Sequence, residues 1–521
     1  MRGSEIEDLP PGWVLVPLGE VAEVQLGKML SQKARTGRGA RPYLRNVNVR
    51  WHHFDLSDLL VMDFSHREVA KYELREGDLL VCEGGEPGRA AVWRGQIPGI
   101  MYQKALHRVR PRHHALNPQF LAYQLEYDAG NGRLSTYFTG STIKHLPREA
   151  LLAYSIRLPP RGEQDRIVDA LDAQFTRLAS AVAALERIRA NLKRYRAAVL
   201  KAACEGRLVP TEAELARREG RDYESADVLL QRILRERRAR WEAEELERLK
   251  AKGKPPTDDR WKKKYKEPEP PDTTELPQLP EGWTWATPDQ LASPEEHSLA
   301  IGPFGSNLKV DDYRESGVPL VFVRHIRAGQ FEGLDDKFID FDKALELRAH
   351  WVFPGDVLIT KMGDPPGDTA VYPVGRPPAV ITADCVRFLP SSLAGDPKFL
   401  AYAIRSPLVH AQILQATQGV AQKKISLARF RRIALPVPPL AEQRRIVDEL
   451  ERRFSIADKQ ELVIARNLQR ATRARHAILH SAFTGRLVPQ DPNDEPASVL
   501  LGRIRAQRNE QTELAIAESG T

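Results

Sequence analysis

Between Glu23 and Asp55 the sequence has no acidic residue but carries seven basic ones: Lys28, Lys33, Arg35, Arg38, Arg41, Arg45 and Arg50. A second acid-free window, Pro87 to Leu125, holds Arg89, Arg94, Lys104, Arg108, Arg110 and Arg112. One such run is what any solvated face presents; two in one stretch point to a surface that meets phosphates. On such a surface Arg and Lys fix register at phosphate oxygens, while Asn, Gln, Arg and Lys at base edges specify sequence. The candidate contacts are Lys28, Lys33, Arg35, Arg38, Arg41, Arg45, Lys104 and Lys144, and later in the chain Lys309, Arg324, Lys423 and Lys424.

Bond-making chemistry finds no comparable residues. "GDPPGD" at Gly363 imitates the Asp-Pro-Pro-aromatic turn of adenine methyltransferases, but Gly367 stands where the aromatic belongs. "GEPGR" at Gly85 occupies the equivalent place earlier in the chain, so both read as turns. "TGRGARP" at Thr36 lacks the strand, helix and Lys-Ser/Thr ending of a phosphate loop. His52-His53 and His113-His114 lack metal-ligand spacing, since neighbours in a strand point to opposite faces. No catalytic residue, metal or cofactor is therefore expected of this chain. A stand-alone methyltransferase or nuclease, and a coiled-coil scaffold whose heads bind protein, are the alternatives to a nucleic-acid reader.

The elements that must position these residues follow from length and repetition. At 521 residues, 42% hydrophobic and 28% charged, the chain predicts two to four compact units. No apolar run reaches the ~18 residues of a membrane span. The net charge is +8, and the three cysteines (Cys82, Cys204, Cys385) are scattered. Together with an N-terminus that has no signal-like apolar core, these suggest a reducing cytoplasm.

Glu163-Gln164 recurs as Glu442-Gln443, 279 residues on, and "GRLVP" at 206–210 recurs at 485–489 with the same offset. Phe120-Leu121-Ala122-Tyr123 matches Phe399-Leu400-Ala401-Tyr402, "YLRNV" from Tyr43 parallels "FVRHI" from Phe322, and "LPPGW" at Leu9 parallels "LPEGW" at Leu279. The chain is a tandem duplication with a long unit. Each copy holds a helix that starts after a Pro-Pro pair, with an acid in its first turn, and ends at a glycine. Ile167, Leu171, Phe175 and Leu185, and in the second copy Ile446, Leu450, Phe454 and Ile464, recur at helical spacing and predict a shared seam. About 40 residues at 1.5 Å each give rods of about 60 Å, expected to pack as an antiparallel coiled coil about a pseudo-twofold axis. Short apolar runs such as "DLLVCEG" and "DVLITKMG" predict α+β heads, and the Lys- and Pro-rich stretch after Lys250 predicts a mobile connector.

The ordered series "LPPGW", variable head, "GSTIKHL", "IRLPPRGEQDRIVDAL", long helix, "GRLVP", then "LPEGW", head, "GVAQKKI", "ALPVPPLAEQRRIVDEL", helix, "GRLVP" resembles the specificity subunits of type I DNA restriction-modification systems. The resemblance covers nearly the whole chain. It implies an N-terminal target recognition domain at 1–160, a spacer helix at 161–210, and a charged helix with connector at 211–275. A second recognition domain would follow at 276–438, then a spacer helix at 439–489 and a tail with a short helix at 490–521. It further implies that each head reads half of a bipartite, asymmetric site on double-stranded DNA. The helices would space the heads and dock two methyltransferase subunits, alongside endonuclease/translocase subunits. S-adenosylmethionine, ATP and Mg would belong to those partners, and this chain would need no cofactor.

Overall fold

The computed structural model describes residues 9–29, 37, 39–327, 329–333, 337–363, 365–417 and 423–519. Its class is α+β, and six helices frame it: α1 (Pro118–Gly130), α2 (Arg161–Cys204), α3 (Ala226–Ala251), α4 (Pro397–Arg405), α5 (Leu440–Phe483) and α6 (Ala497–Ser519). Contacts divide the chain into two compact units, Met1–Arg187 with Ile464–Thr521, and Ile188–Val463. These boundaries fall inside α2 and α5, so neither unit is one copy of the repeat. The reason is length: a 44-residue helix spans about 66 Å, more than one head can cover.

In the first unit Val14–Pro17 pairs antiparallel with Ser155–Leu158, joining the start of the head to its end. Between them lies an antiparallel sheet in the order Ala22–Leu26, Leu106–Pro111, Leu79–Cys82, Ala90–Val92. Leu79–Cys82 is buried at every position, the pattern of a strand covered on both faces. A smaller sheet places Ala40–Leu44 between Leu60–Asp63 and Met101–Tyr102, the latter pairing being parallel. Helix α1 starts where Pro118 fits the first turn and the Asn117 side chain accepts from the amides of Gln119 and Phe120.

The second unit repeats this plan. Thr284–Ala286 closes on Leu435–Val437, and the main sheet runs Leu299–Ile301, Cys385–Phe388, Val357–Thr360, Thr369–Val371. Val318–Val321 runs parallel to Ala379–Ile381 in the smaller sheet. Here the structure corrects the match of "YLRNV" with "FVRHI". The parallel pairs Tyr43↔Met101 and Leu320↔Val380 put Tyr43 opposite Leu320 in the repeat, and Arg45 opposite Phe322. Short 3₁₀ turns follow at Asn46–Asn48 and Val323–His325. In each turn a buried side chain takes the amide before it: Asn48 Oδ1 accepts from Arg45 N–H at 2.9 Å, and His325 Nδ1 from Phe322 N–H at 3.2 Å. Identical-looking arginines misled the sequence comparison because the preceding loops differ in length by two residues.

The repeated Glu-Gln pair proves to be a lock between head and helix. Trp13 Nε1 donates to Glu163 at 3.1 Å, and Trp283 Nε1 to Glu442 at 3.0 Å. Gln164 and Gln443 donate back to the carbonyls of Pro159 and Pro438. These carboxyls are buried, and burial raises both pKa values, that of Glu442 to about 7. The repeated "GRLVP" locks across copies. Gly485, at φ +68°, lies against Pro10 in the first unit, and Gly206, at φ +65°, against Pro280 in the second. A β-carbon at either site would approach the proline ring to within 2.5 Å, so both the left-handed conformation and the close approach demand glycine.

In the second unit Arg196 reaches Asp458 at 2.6 Å and Glu461 at 3.4 Å, and Arg189 reaches Glu461 at 3.9 Å. Rising numbers on α2 thus meet falling numbers on α5, an antiparallel crossing. Ile446 and Leu450 share a core with Val199, Leu200 and Ala203, with Phe454 packed at its edge. In the first unit Ile167, Leu171 and Phe175 share a core with Leu479, Ala482 and Phe483. Ile464 is buried; Leu185 is only half-buried and belongs to neither core.

The connector differs from its sequence expectation. Residues 252–271 are not a free tether: Trp261 stacks on Trp241 of α3 at 6.1 Å, and Tyr265 lies 5.2 Å from the same ring. Aromatic residues inside a basic, proline-rich run supplied the anchor. Among the described residues no helix is long and apolar enough to cross a membrane.

Candidate nucleic-acid interface

Five loops meet at one end of the first head's main sheet. The amide of Lys104 donates to Lys28 O at 2.8 Å, and that of Glu83 to Ala105 O at 2.9 Å. Gly84 bridges to His145, and the amide of Leu146 donates to Glu83 O at 2.8 Å. Asn46 Nδ2 donates to Gly84 O at 3.2 Å, and Arg89 Nη2 to Asn46 O at 2.8 Å. The "GEPGR" segment is therefore a turn between the antiparallel strands Leu79–Cys82 and Ala90–Val92, woven into its neighbours.

The predicted residues fare differently within this cluster. Lys104 and Lys144 are exposed on it. Lys28 is there too, but its ammonium turns inward, to Glu68 at 2.9 Å and Asp63 O at 2.7 Å, and lies 4.8 Å over the Phe64 ring. With that side chain only 13% exposed, Lys28 braces the loop rather than offering a charge. Arg45 is bound to Asp58 at 2.5 Å, whereas Arg41 is exposed on its strand. Lys33, Arg35 and Arg38 lie outside the described residues.

The second head assembles the same loops with other side chains. The amide of Lys361 donates to Asp384 O at 2.7 Å, Met362 bridges to Lys424, and the amide of Ile425 donates to Lys361 O at 3.1 Å. Gly302 approaches Thr382 so closely that a β-carbon would lie 2.0 Å from its carbonyl oxygen. Lys423 and Lys424 are exposed, as is Lys309, which opens a short 3₁₀ turn capped by Asp312. Arg324 is exposed and stacks 4.1 Å over Phe322. "GDPPGD" falls in the turn between Val357–Thr360 and Thr369–Val371, as a connection and not a reaction centre.

Charge counting did not single out Asn46, Gln103 and His145 in the first head or Lys361 in the second, which share these loop clusters. Matched repeat positions carry the signal that finds them: Glu83 stands opposite Lys361, and His145 opposite Lys424. Behind these loops each head bonds to the helices. In the first head His52 Nε2 meets Glu126 at 2.7 Å, and Arg475 of α5 reaches the same carboxylate at 2.7 and 2.8 Å. Burial raises the Glu126 pKa, but the hydrogen bonds from His52 and Arg475 outweigh it and hold the group at about 2.

Residues 10–187 and 324–462 match the family model described as Type I restriction modification DNA specificity domain. The chain is 25% identical over 446 residues to the type I restriction enzyme EcoBI specificity subunit of Escherichia coli, covering 83% of this chain and 80% of that one. To the EcoKI specificity subunit of Escherichia coli strain K12 it is 22% identical over 530 aligned residues, 96% of each chain. A solved structure described as "Structural basis underlying complex assembly and conformational transition of the type I R-M system" matches with a TM-score of 0.59 at 18% identity. That match spans 92% of this chain and 99% of the other, a likeness of fold. Duplicated heads, long antiparallel helices and a family match over most of the chain together make this protein a member of the type I restriction-modification specificity subunit family.

Proposed function

We propose that this chain is the non-catalytic reader of a type I restriction-modification complex, in which each head recognises one half of a bipartite, asymmetric DNA site. The supporting observation is that two heads of one topology present different side chains from the same loops, Glu83 and His145 in one, Lys361 and Lys424 in the other. A common scaffold with unlike tips is what two unlike half-sites require. Lys104, Lys144 and Arg41, and in the second head Lys309, Arg324, Lys423 and Lys424, would contact phosphates and base edges. Lys33, Arg35 and Arg38 belong to the same reading.

In this reading α2 and α5 are the ruler: rods of about 66 Å suit half-sites one to two turns of B-DNA apart. The helices also carry the docking surface. Ile188, Tyr195, Ile456, Leu462 and Val463 are each two-fifths or more exposed, apolar groups that a protein partner would cover. Two methyltransferase subunits bringing S-adenosylmethionine, and endonuclease/translocase subunits using ATP and Mg, complete the assembly in the cytoplasm. The test is co-expression with the cognate methyltransferase subunit, followed by mapping of methylated adenines. Methylation at one split sequence, absent for either subunit alone, is expected; S-adenosylmethionine binding and methylation by this chain alone would contradict the reading.

A further inference from the structure

The connector after α3 carries a charge that neither head explains. Lys250, Lys252, Lys254, Arg260, Lys262, Lys263, Lys264 and Lys266 face only Asp258 and Asp259 between positions 250 and 266. Three of the cations are spent locally. Lys250 pairs with Glu247 at 2.9 Å, Arg260 with Asp258 at 2.7 Å, and Lys262 with Asp259 at 3.1 Å and Glu242 at 3.7 Å. Lys252, Lys254, Lys263, Lys264 and Lys266 are exposed; Lys252 and Lys264 lie near enough to Glu245 to help lower its pKa, beside the close pair that Glu245 makes with Arg248.

A free polybasic linker would be an ordinary solvated tether, but this one is built into place. The 3₁₀ turn Asp259–Lys264 is capped by Asp258, whose side chain accepts from Arg260 N–H. Trp261 within the turn and Tyr265 just after it clasp Trp241 of α3, Arg238 lies 5.8 Å over the Tyr265 ring, and Arg238 also pairs with Glu267 at 3.3 Å. Three aromatic rings thus pin the turn, and the lysines beside them project from a fixed base. Holding like charges together costs free energy through mutual repulsion. A polyanion that releases counterions on binding recovers that cost.

We infer that this strap is a second, sequence-blind DNA surface, its lysines taking backbone phosphates outside the split site that the heads read. The inference rests on the proposed function only in that the chain must meet duplex DNA. The strap would raise affinity equally for all sequences and leave discrimination to the heads.

The test compares the full chain with a variant carrying Lys252→Gln, Lys254→Gln, Lys263→Gln, Lys264→Gln and Lys266→Gln. Binding to a duplex containing the mapped site and to one lacking it would be measured by fluorescence anisotropy over a range of salt. Each lost phosphate contact flattens the slope of log affinity against log salt by about 0.9, so a decrease of up to about 4.5 is expected from the five substitutions. Affinity for both duplexes should fall about tenfold or more, with their ratio unchanged, and the matching Lys→Arg variant should bind as the wild type does. An unchanged slope in a variant of a DNA-binding wild type would overturn the inference. So would a variant that keeps its DNA affinity and loses only its methyltransferase subunit. A wild type that binds neither duplex overturns the proposed function, and this inference with it.

Discussion

In the first head Glu126 of α1 gathers His52 at 2.7 Å and Arg475 of α5 at 2.7 and 2.8 Å. The matching residue of α4 in the second head is Arg405, and the matching residue of the helix pair is Arg196, so like charges stand where the first head has an ion pair. Arg196 turns instead to Asp458 and Glu461. Burial, and to a lesser degree the Arg196 charge, lower the pKa of Arg405. Gly329 stands where the first head has His52, and a β-carbon there would lie 1.7 Å from the Arg405 guanidinium. Both heads nonetheless share the arginine over a phenylalanine: Arg475 at 4.0 Å from Phe175, Arg196 at 5.7 Å from Phe454. The comparison separates two kinds of attachment. The tryptophan–glutamate lock is common to both copies, while the half-buried Glu126–Arg475 tie belongs to the first; the second head is tied instead by exposed Lys398 of α4 to Glu451 of α5 at 2.5 Å.

Breaking the common lock should have the largest effect. Trp13→Ala and Trp283→Ala each remove a buried indole and one of the hydrogen-bond donors to a buried carboxyl, at about 3–5 kcal/mol. Similar losses are expected from both in chemical denaturation, each in its own unit; a large loss from only one would show that the locks are not equivalent. The ionic tie should respond unequally. Glu126→Arg places a second cation beside Arg475 and takes the carboxylate partner from His52, and should destabilise the first unit by about 3 kcal/mol. Arg405→Glu replaces a like charge near Arg196 with a further carboxylate in addition to Asp458 and Glu461 and should stabilise the second unit by up to about 1 kcal/mol.

The pH dependence sharpens the contrast at smaller scale. The Glu442 carboxyl is raised to about 7, so the folded second unit holds a proton that the unfolded chain releases near 4.5. Stability should therefore fall as pH rises from about 4.5 to about 7, by on the order of 2 kcal/mol, and Glu442→Gln should remove most of that slope. Glu126, held at about 2, acts oppositely: its contribution is present above about 4.5 and is lost as pH falls toward 2. Melting temperatures of wild type and Glu442→Gln between pH 4 and 8 check the first sign; parallel curves would contradict it.

Repetition made the architecture readable, because Glu-Gln, "GRLVP" and the proline pairs recur at one offset and mark where head meets helix. What the Glu does there was not readable, since its donor, Trp13 or Trp283, lies some 150 residues away in sequence. A shorter separation, 40 residues, still hid the fate of Lys28, whose partner Glu68 sits on a neighbouring element and withdraws it from the surface. Basic windows thus fell on loops that come together at one end of the first head's sheet, but could not show that Lys28 is a brace. The second head has an acid-free window too, Pro397 to Ala441, which holds Lys423 and Lys424, but Lys361 lies outside it, and only the pairing with the first head placed Lys361 beside Lys424. The connector misled because composition reported its lysines and prolines, while Trp241, the ring that fixes it, belongs to the preceding helix.

The central claim is that each head reads its own half-site on a helix-set spacing. It is tested most directly by replacing residues 10–160 with the corresponding head of another specificity subunit and mapping methylated adenines in the reassembled complex. The account predicts that one half of the recognised sequence changes while the other half and the gap between them stay as they were. A site altered in both halves, or one left unaltered, would contradict it.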